Sequence, residues 1–247
     1  MYGGLERFPQ LFLGLVVLSI GFATGAYAVG DGLSARAGQE TITVTGSARK
    51  SIVSDTVLWR ASVTSTQPTP AEASKELAAW VGRVSSFLHD AGAGDDEVRV
   101  HPVSTVTIPQ LGPDGRGDTG MVAGYRLSRA FEVRSSRVKE ITDIVQKSSA
   151  LLSEGIPLTA QPPEYRYAQL AKLRPGLLAE ASRDAKTRGQ RLVTAAGGRL
   201  GRLQSVSAGV IQVTAPNSTD TSGEGVYDTS TIGKDATAVV RLTFALR

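Results

Sequence analysis

An α+β protein, built as an antiparallel sheet with helices packed on one face, is the architecture the sequence predicts. Three observations carry that expectation. Residues 40–66 alternate β-branched and apolar positions with polar ones at the period of a half-buried strand. Residues 69–91 repeat apolar side chains at helical spacing behind a capping signal, and residues 236–246 return to period-two alternation.

The opening strand pair comes first. Ile42 and Val44 alternate with Thr41, Thr43 and Thr45; further on, Val57, Trp59, Ala61 and Val63 alternate with Leu58, Arg60, Ser62 and Thr64. Gly46 and Asp55 bracket a polar break between the two pieces, read as a turn or bulge because both residues tolerate backbone geometry that β-branched neighbours resist. Thr69, Pro70 and Glu72 then supply a cap, a first helical position and the third member of a capping box. Ala73, Leu77, Trp80, Val81, Val84, Leu88 and Ala91 form the helix stripe, and Gly92 and Gly94 end it.

Val98, Val100, Val106 and Ile108 share one strand parity, with Pro102 between them marking an edge strand or a bulge. Residues 110–121 form a loop rich in Gly and Pro. Its Arg116-Gly117-Asp118 tripeptide reads as a solvated turn rather than an adhesion motif. Tyr125, Leu127, Phe131 and Val133 place a further strand, and Arg129 interrupts their apolar face, which leaves one end of the strand open to solvent or to a partner chain. Val138, Ile141, Val145 and Leu152 mark a second helix ended by Gly155, followed by an extended piece over 156–167.

A long helix is expected over 168–196, with Leu170, Leu173, Leu177, Ala181, Ala185, Arg188 and Leu192 on one face. Pro175 should kink it or open its main portion. Ala181, Ala185 and Gly189 are small enough for a neighbouring backbone to approach. Gly197 and Gly198 terminate the helix, and strands follow over 200–213 and 236–246. Between them, residues 215–234 are too long for a tight hairpin and read as mobile or functional.

Composition bounds the function. The 247 residues are 41% hydrophobic and only 6% aromatic, so the core must be built mainly of Val, Leu, Ile and Ala. The net charge is +4, and the basic residues look dispersed along the chain, which argues against nucleic acid as a partner. Without cysteine there are no disulfides, thiolate nucleophiles or cysteine metal ligands. Residues 11–29 carry no charge, and Ala26-Tyr27-Ala28 is an acceptable cleavage site. Residues 1–30 therefore read as a signal peptide or a transmembrane anchor, residues 31–39 as a spacer, and residues 40–247 as a domain delivered outside the cytoplasm.

No residue constellation names a reaction. His89 and His101 lack a third ligand of zinc spacing. No serine lies in a G-x-S-x-G elbow, and there is no Walker loop. Asp95 and Asp96 adjoin in a loop. Asp220, Glu224 and Asp228 do not follow calcium-loop spacing, and Asn217-Ser218-Thr219 is only a formal glycosylation acceptor. No catalytic, cofactor-binding or metal-binding residue is assigned, and no cofactor is expected.

Three segments nevertheless carry a resemblance. They are Thr43-Val44-Thr45-Gly46-Ser47-Ala48 with Asp55 opening the next strand; Gly124-Tyr125; and Ala181, Asp184-Ala185, Arg188, Gly197 and Leu200-Gly201. In this order and spacing, over about residues 40–246, the chain resembles the SIMPL-domain family of bacterial envelope proteins. That family includes a periplasmic immunogenic protein and homologues linked to oxidative-stress defence. Gly189 departs from it, since alanine is the more usual neighbour of the arginine there, and the glycine loosens the helix. The resemblance implies an α+β domain without known catalytic residues or established cofactor, and in some members a ring-like or channel-like homo-oligomer. Two expectations of function follow. One is a non-enzymatic, self-assembling envelope protein linked to stress defence, held to the membrane through residues 11–29 if these stay uncleaved. The other is a monomeric periplasmic binding module, for an unknown small ligand or an envelope partner, working through the loops at 110–121 and 215–234.

Overall fold

The computed structural model describes residues 40–112, 117–220 and 222–247. The expected export segment, the spacer 31–39 and Arg116 of the tripeptide lie outside them. Among the described residues no helix is long and apolar enough to cross a membrane.

The elements follow as β1 (Thr41–Val53), β2 (Thr56–Gln67), α1 (Pro70–Asp90), β3 (Val98–Val100), β4 (Ser104–Leu111), β5 (Asp118–Ser135), α2 (Val138–Lys147) and the single turn α3 (Ala150–Ser153). After these come β6 (Leu158–Ala160), β7 (Glu164–Arg166), α4 (Leu170–Ala195), β8 (Leu200–Ala208), β9 (Gln212–Thr214) and β10 (Gly233–Leu246). The registered strand pairs are antiparallel, as expected for this α+β class. The chain divides into two compact units. The described part of unit 1 is 40–46 with Ser182–Ala208 and Val240–Arg247, and unit 2 is Ser47–Ala181 with Gly209–Val239.

Unit 2 is organised on a six-stranded sheet in which β5 and β2 are central. They pair from Val57↔Ser135 to Gln67↔Tyr125. The alternation read from the sequence puts Val57, Trp59, Ala61 and Val63 of β2 on one face with Phe131 and Val133 of β5, and all are buried. Against this face pack Ala73, Leu77, Val84 and Leu88 of α1 and Val138, Ile141 and Ile144 of α2. Helix α1 begins as the sequence indicates: the Thr69 hydroxyl accepts from the Glu72 amide at 3.3 Å, and Pro70 occupies the first turn. Gly92, at φ 98°, follows its last turn, in a conformation that glycine adopts without strain.

Several boundaries differ from expectation. Strand β1 does not stop at Gly46 but runs to Val53, because Gly46, Ala48 and Ile52 keep the buried parity of Val44 with smaller or later apolar groups. It also joins a different sheet from β2, beside β10. The expected strand through Val98 and Ile108 is two strands, interrupted at 101–103 where Pro102 cannot donate; both lie on β5 alone, as an edge should. The loop at 110–121 is much shorter than read, since β4 reaches Leu111 and β5 begins at Asp118. The first part of β5 is exposed, as the interruption at Arg129 suggested, and the Arg129 guanidinium donates to the His101 carbonyl at 2.9 Å.

The second helix ends at Lys147 and a separate turn follows, so Leu151 is buried and the expected Leu152 is exposed. Helix α4 keeps Pro175 inside it. Its buried stripe runs Leu177, Ala181, Ala185, Gly189 and Val193, in steps of four that take Arg188 and Leu192 out to solvent. The expected strand over 200–213 is likewise two, β8 and β9, both on β10.

In unit 1, β8 pairs with β10 from Val240↔Ala208 to Leu246↔Leu200, and the start of β1 lies on the other side of β10, where the Thr43 and Thr243 hydroxyls meet at 3.0 Å. Val44, Ala185, Val193, Val240, Leu242 and Phe244 are buried here. Gly189 fits the space: a Cβ there would stand 3.3 Å from Val44 Cγ2. At Gly201 a Cβ would stand 2.6 Å from the Ala245 carbonyl oxygen, so β8 approaches β10 at that point only because the side chain is missing.

Candidate functional site

The residues nominated by the sequence do not converge. The His89 side chain is largely exposed beside Asp90, with Nδ1 3.7 Å from its carboxylate. His101 uses its backbone in the break between β3 and β4. Asp95 and Asp96 are exposed in the turn before β3. Among the described residues no group of three His, Cys, Asp or Glu side chains could hold a metal ion.

The loop at 215–234, read as mobile or functional, is tied together from within unit 2. The Asp228 carboxylate accepts from the Ser230 amide and hydroxyl, the Thr231 amide and hydroxyl, and Lys234 Nζ at 2.9 Å. Lys234 Nζ also donates to the Thr231 carbonyl at 2.6 Å, and its side chain is fully buried. Burial alone would raise the Asp228 carboxyl, but the Ser230, Thr231 and Lys234 donors outweigh it and hold the group well below the usual carboxylate range. With five donors on one carboxylate, Asp228 has little capacity left for a cation. Its role is to close the loop.

A second polar knot joins the turn before β3 to the start of α2. Arg137 makes a charge-assisted pair with Glu97, reaches Glu140 at 2.8 Å and donates to the Gly92 carbonyl at 2.9 Å. Ser135 donates its hydroxyl to the same Glu97. The Arg137 guanidinium first, then Ser135 and the Gly94 amide, bring the Glu97 carboxyl down to about 2 against the cost of burial. On the sheet, Arg60 stands between Glu132 at 3.1 Å and Glu164 at 2.8 Å. These are ion pairs that tie neighbouring elements of unit 2 together.

Three further features belong to unit 1. Among the described residues strand β8 ends its sheet, paired to β10 alone. Its register places Val206 beside Leu242 and Leu203 beside Phe244. Leu242 and Phe244 are 4% exposed, whereas Leu203 is 49% and Val206 58% exposed. The apolar face of β10 therefore continues onto β8 and is left uncovered there. From Leu203 to Ala208 the strand has neither charge nor proline, the two devices that usually blunt an edge. One register irregularity falls at Gln204, within this stretch, and another between Leu203 and Leu200.

A cavity of about 450 Å³ lies at the other side of the same unit, lined by Ile42, Leu192, Val193, Ala196 and Leu246 with Glu40 and Arg247 at its charged positions. That volume falls within the range of small-molecule sites.

Charge is the third feature. The described residues of unit 1 hold eight basic side chains against Glu40 and Asp184, a net of +6. Asp184 is held by Arg188 at 2.9 Å. The sequence reading missed this concentration because it surveyed the whole chain; a count over 182–208 alone finds six basic residues against one carboxylate.

Among curated proteins, none matches the chain. A family model does match, over residues 42–244: SIMPL, described as a protein of unknown function (DUF541). The match reaches into both units and every strand named above, so the chain belongs to the SIMPL family.

Proposed function

We propose that this SIMPL-domain protein is a non-enzymatic component of the bacterial cell envelope that is exported, self-assembles, and serves in envelope or oxidative-stress defence. The observation that carries the assembly part is the exposed apolar face of β8, where Leu203 and Val206 extend the buried face of Leu242 and Phe244 into solvent. A second copy laid on that face would cover both side chains. The non-enzymatic part is supported by the polar clusters of unit 2, whose carboxylates are committed to structural partners. Export is supported by the apolar run at 11–29, and the defence role by the resemblance alone.

The test is absolute mass by light scattering on a size column, for the chain from Asp31 onward. A discrete species many times the protomer mass is expected, and Val206→Lys should return it to the protomer by placing a charge on the paired face. A monodisperse wild-type monomer would remove assembly by the folded part. It would move the weight to a second reading, a monomeric binding module for a small ligand, which the cavity beside Leu192 and Leu246 favours.

A further inference from the structure

We propose that β4 pairs antiparallel with the β4 of a second copy of this chain, about a twofold axis at Val106. Among the described residues β4 lies on β5 alone, and no backbone group from Ser104 to Ile108 bonds to anything outside that pairing. Seven of its eight residues are exposed, Val106 at 52%, and none joins the core cluster under α1 and α2, so neither face of the strand is covered. The register with β5 is unbroken from Ser104↔Ser128 to Ile108↔Gly124 and shifts only on either side of Pro109. Ser104 to Ile108 carry no charge and no proline, and all but the serine are β-branched. Such an edge lacks the devices that keep other strands away.

Hydrogen-bonding capacity selects the occupant. A bilayer interior offers neither donors nor acceptors to the outer backbone groups of a strand, so lipid leaves this edge unmet. A second copy of the same strand meets it residue by residue. With the axis at Val106, that side chain stands against its own counterpart, Thr105 against Thr107 and Ser104 against Ile108. Faces match as well: Thr105 lies opposite the buried Leu127 on the core side of the sheet, with Thr107, and Val106 lies on the other side. No charge is set against another, and Pro102 and Pro109 fall outside the ladder and frame its length. So short a ladder buries less than a stable interface needs; it adds to copies held at the β8 face and separates on a dilute column when that face is blocked. The inference rests on the self-assembly reading, and it adds an isologous contact in unit 2.

The chain has no cysteine, so a single introduced thiol reads the contact. The full chain carrying Val106→Cys is oxidised with glutathione disulfide and scored as covalent dimer on a non-reducing gel. It should cross-link at least about tenfold faster than Val53→Cys, a control at a position 66% exposed, because pairing holds the two thiols at about millimolar effective concentration. Register is tested by co-expression. Ser104→Cys with Ile108→Cys should give the mixed dimer, identified by mass, whereas each alone stays slow, its own counterpart lying about 14 Å away along the ladder. No preference for Val106→Cys over Val53→Cys overturns the proposal, as does Ser104→Cys joining itself as fast as it joins Ile108→Cys. Slow dimer formation with the Val106→Cys thiol shielded from alkylation by phosphatidylcholine vesicles assigns the strand to lipid and overturns it too. Absolute mass of the same chains, reduced, separates this contact from the β8 face. A discrete large species without the preferential cross-link overturns the β4 contact alone. The preferential cross-link in a chain that runs as a protomer supports the β4 contact and strikes the β8 face.

Discussion

In unit 2, eighteen carboxylates meet sixteen basic residues among the described positions, and the guanidiniums sit between carboxylates: Arg60 between Glu132 and Glu164, Arg137 between Glu97 and Glu140. In unit 1, eight basic residues meet two carboxylates, and one exposed pair, Arg188 with Asp184, is formed. The apolar surfaces divide in the same sense. The β2–β5 face of unit 2 is covered by α1 and α2, whereas in unit 1 the apolar face of β10 runs out onto an uncovered β8. The comparison separates charge used to hold a fold from charge left at the surface. Conserving net charge along a chain says nothing about which of these a given arginine does.

The largest effect that could break this contrast lies at Lys234. Lys234→Ala leaves the Asp228 carboxylate without its buried counter-charge, and a loss of about 3 kcal/mol in unfolding free energy is expected from urea denaturation. A loss below about 0.5 kcal/mol would mean that unit 2 does not depend on its buried pair. Next is the acid response at Glu97. Its carboxyl is lowered from 4.5 to about 2, so the stability it contributes is present above the unfolded value and drains away as pH falls from 4.5 towards 2. Glu97→Gln should lower the urea midpoint near neutral pH and flatten its fall across that window; an unchanged acid slope would remove Glu97 as a contributor. The smallest effect is expected in unit 1, where Arg188→Gln removes an exposed pair four residues apart on a helix and should cost at most about 0.5 kcal/mol. A larger cost would show that unit 1 also spends its charge on folding.

Much of unit 2 was legible in the sequence because its signals are local. The Thr69 to Glu72 cap, the α1 stripe and the parity of Val57, Trp59, Ala61 and Val63 each sit within one turn or one strand. The misread boundaries have a common cause, in that a break was inferred wherever polar or small residues interrupted a pattern. Gly46 and Ala48 keep the strand parity without bulk, so β1 continued; Pro102 has the parity of its neighbours but no N–H to donate, so one expected strand became two. The α4 face failed differently. Arg188 and Leu192 fit a stripe drawn from Leu170, but steps of four from Leu177 lead to Gly189 and Val193, and packing against Val44 and Leu200 chose the second. The features of unit 1 were hardest to read, since 40–46, 182–208 and 240–247 are far apart in the chain. That β8 ends a sheet is a fact of pairing, which no single stretch contains.

Both tryptophans of the chain, Trp59 and Trp80, belong to unit 2. Trp59 is 1% exposed, and its indole Nε1 has no hydrogen-bond partner among the described residues, while Trp80 is half-buried. An indole in a dry, unpartnered setting emits to the blue of a hydrated one, so native emission reports the interior of unit 2 and shifts to the red as that interior opens. Unit 1 is optically silent among its described residues. A tryptophan placed at the exposed Leu192 would give it a signal of its own, and the two halves of the chain could then be watched through separate colours of the same light.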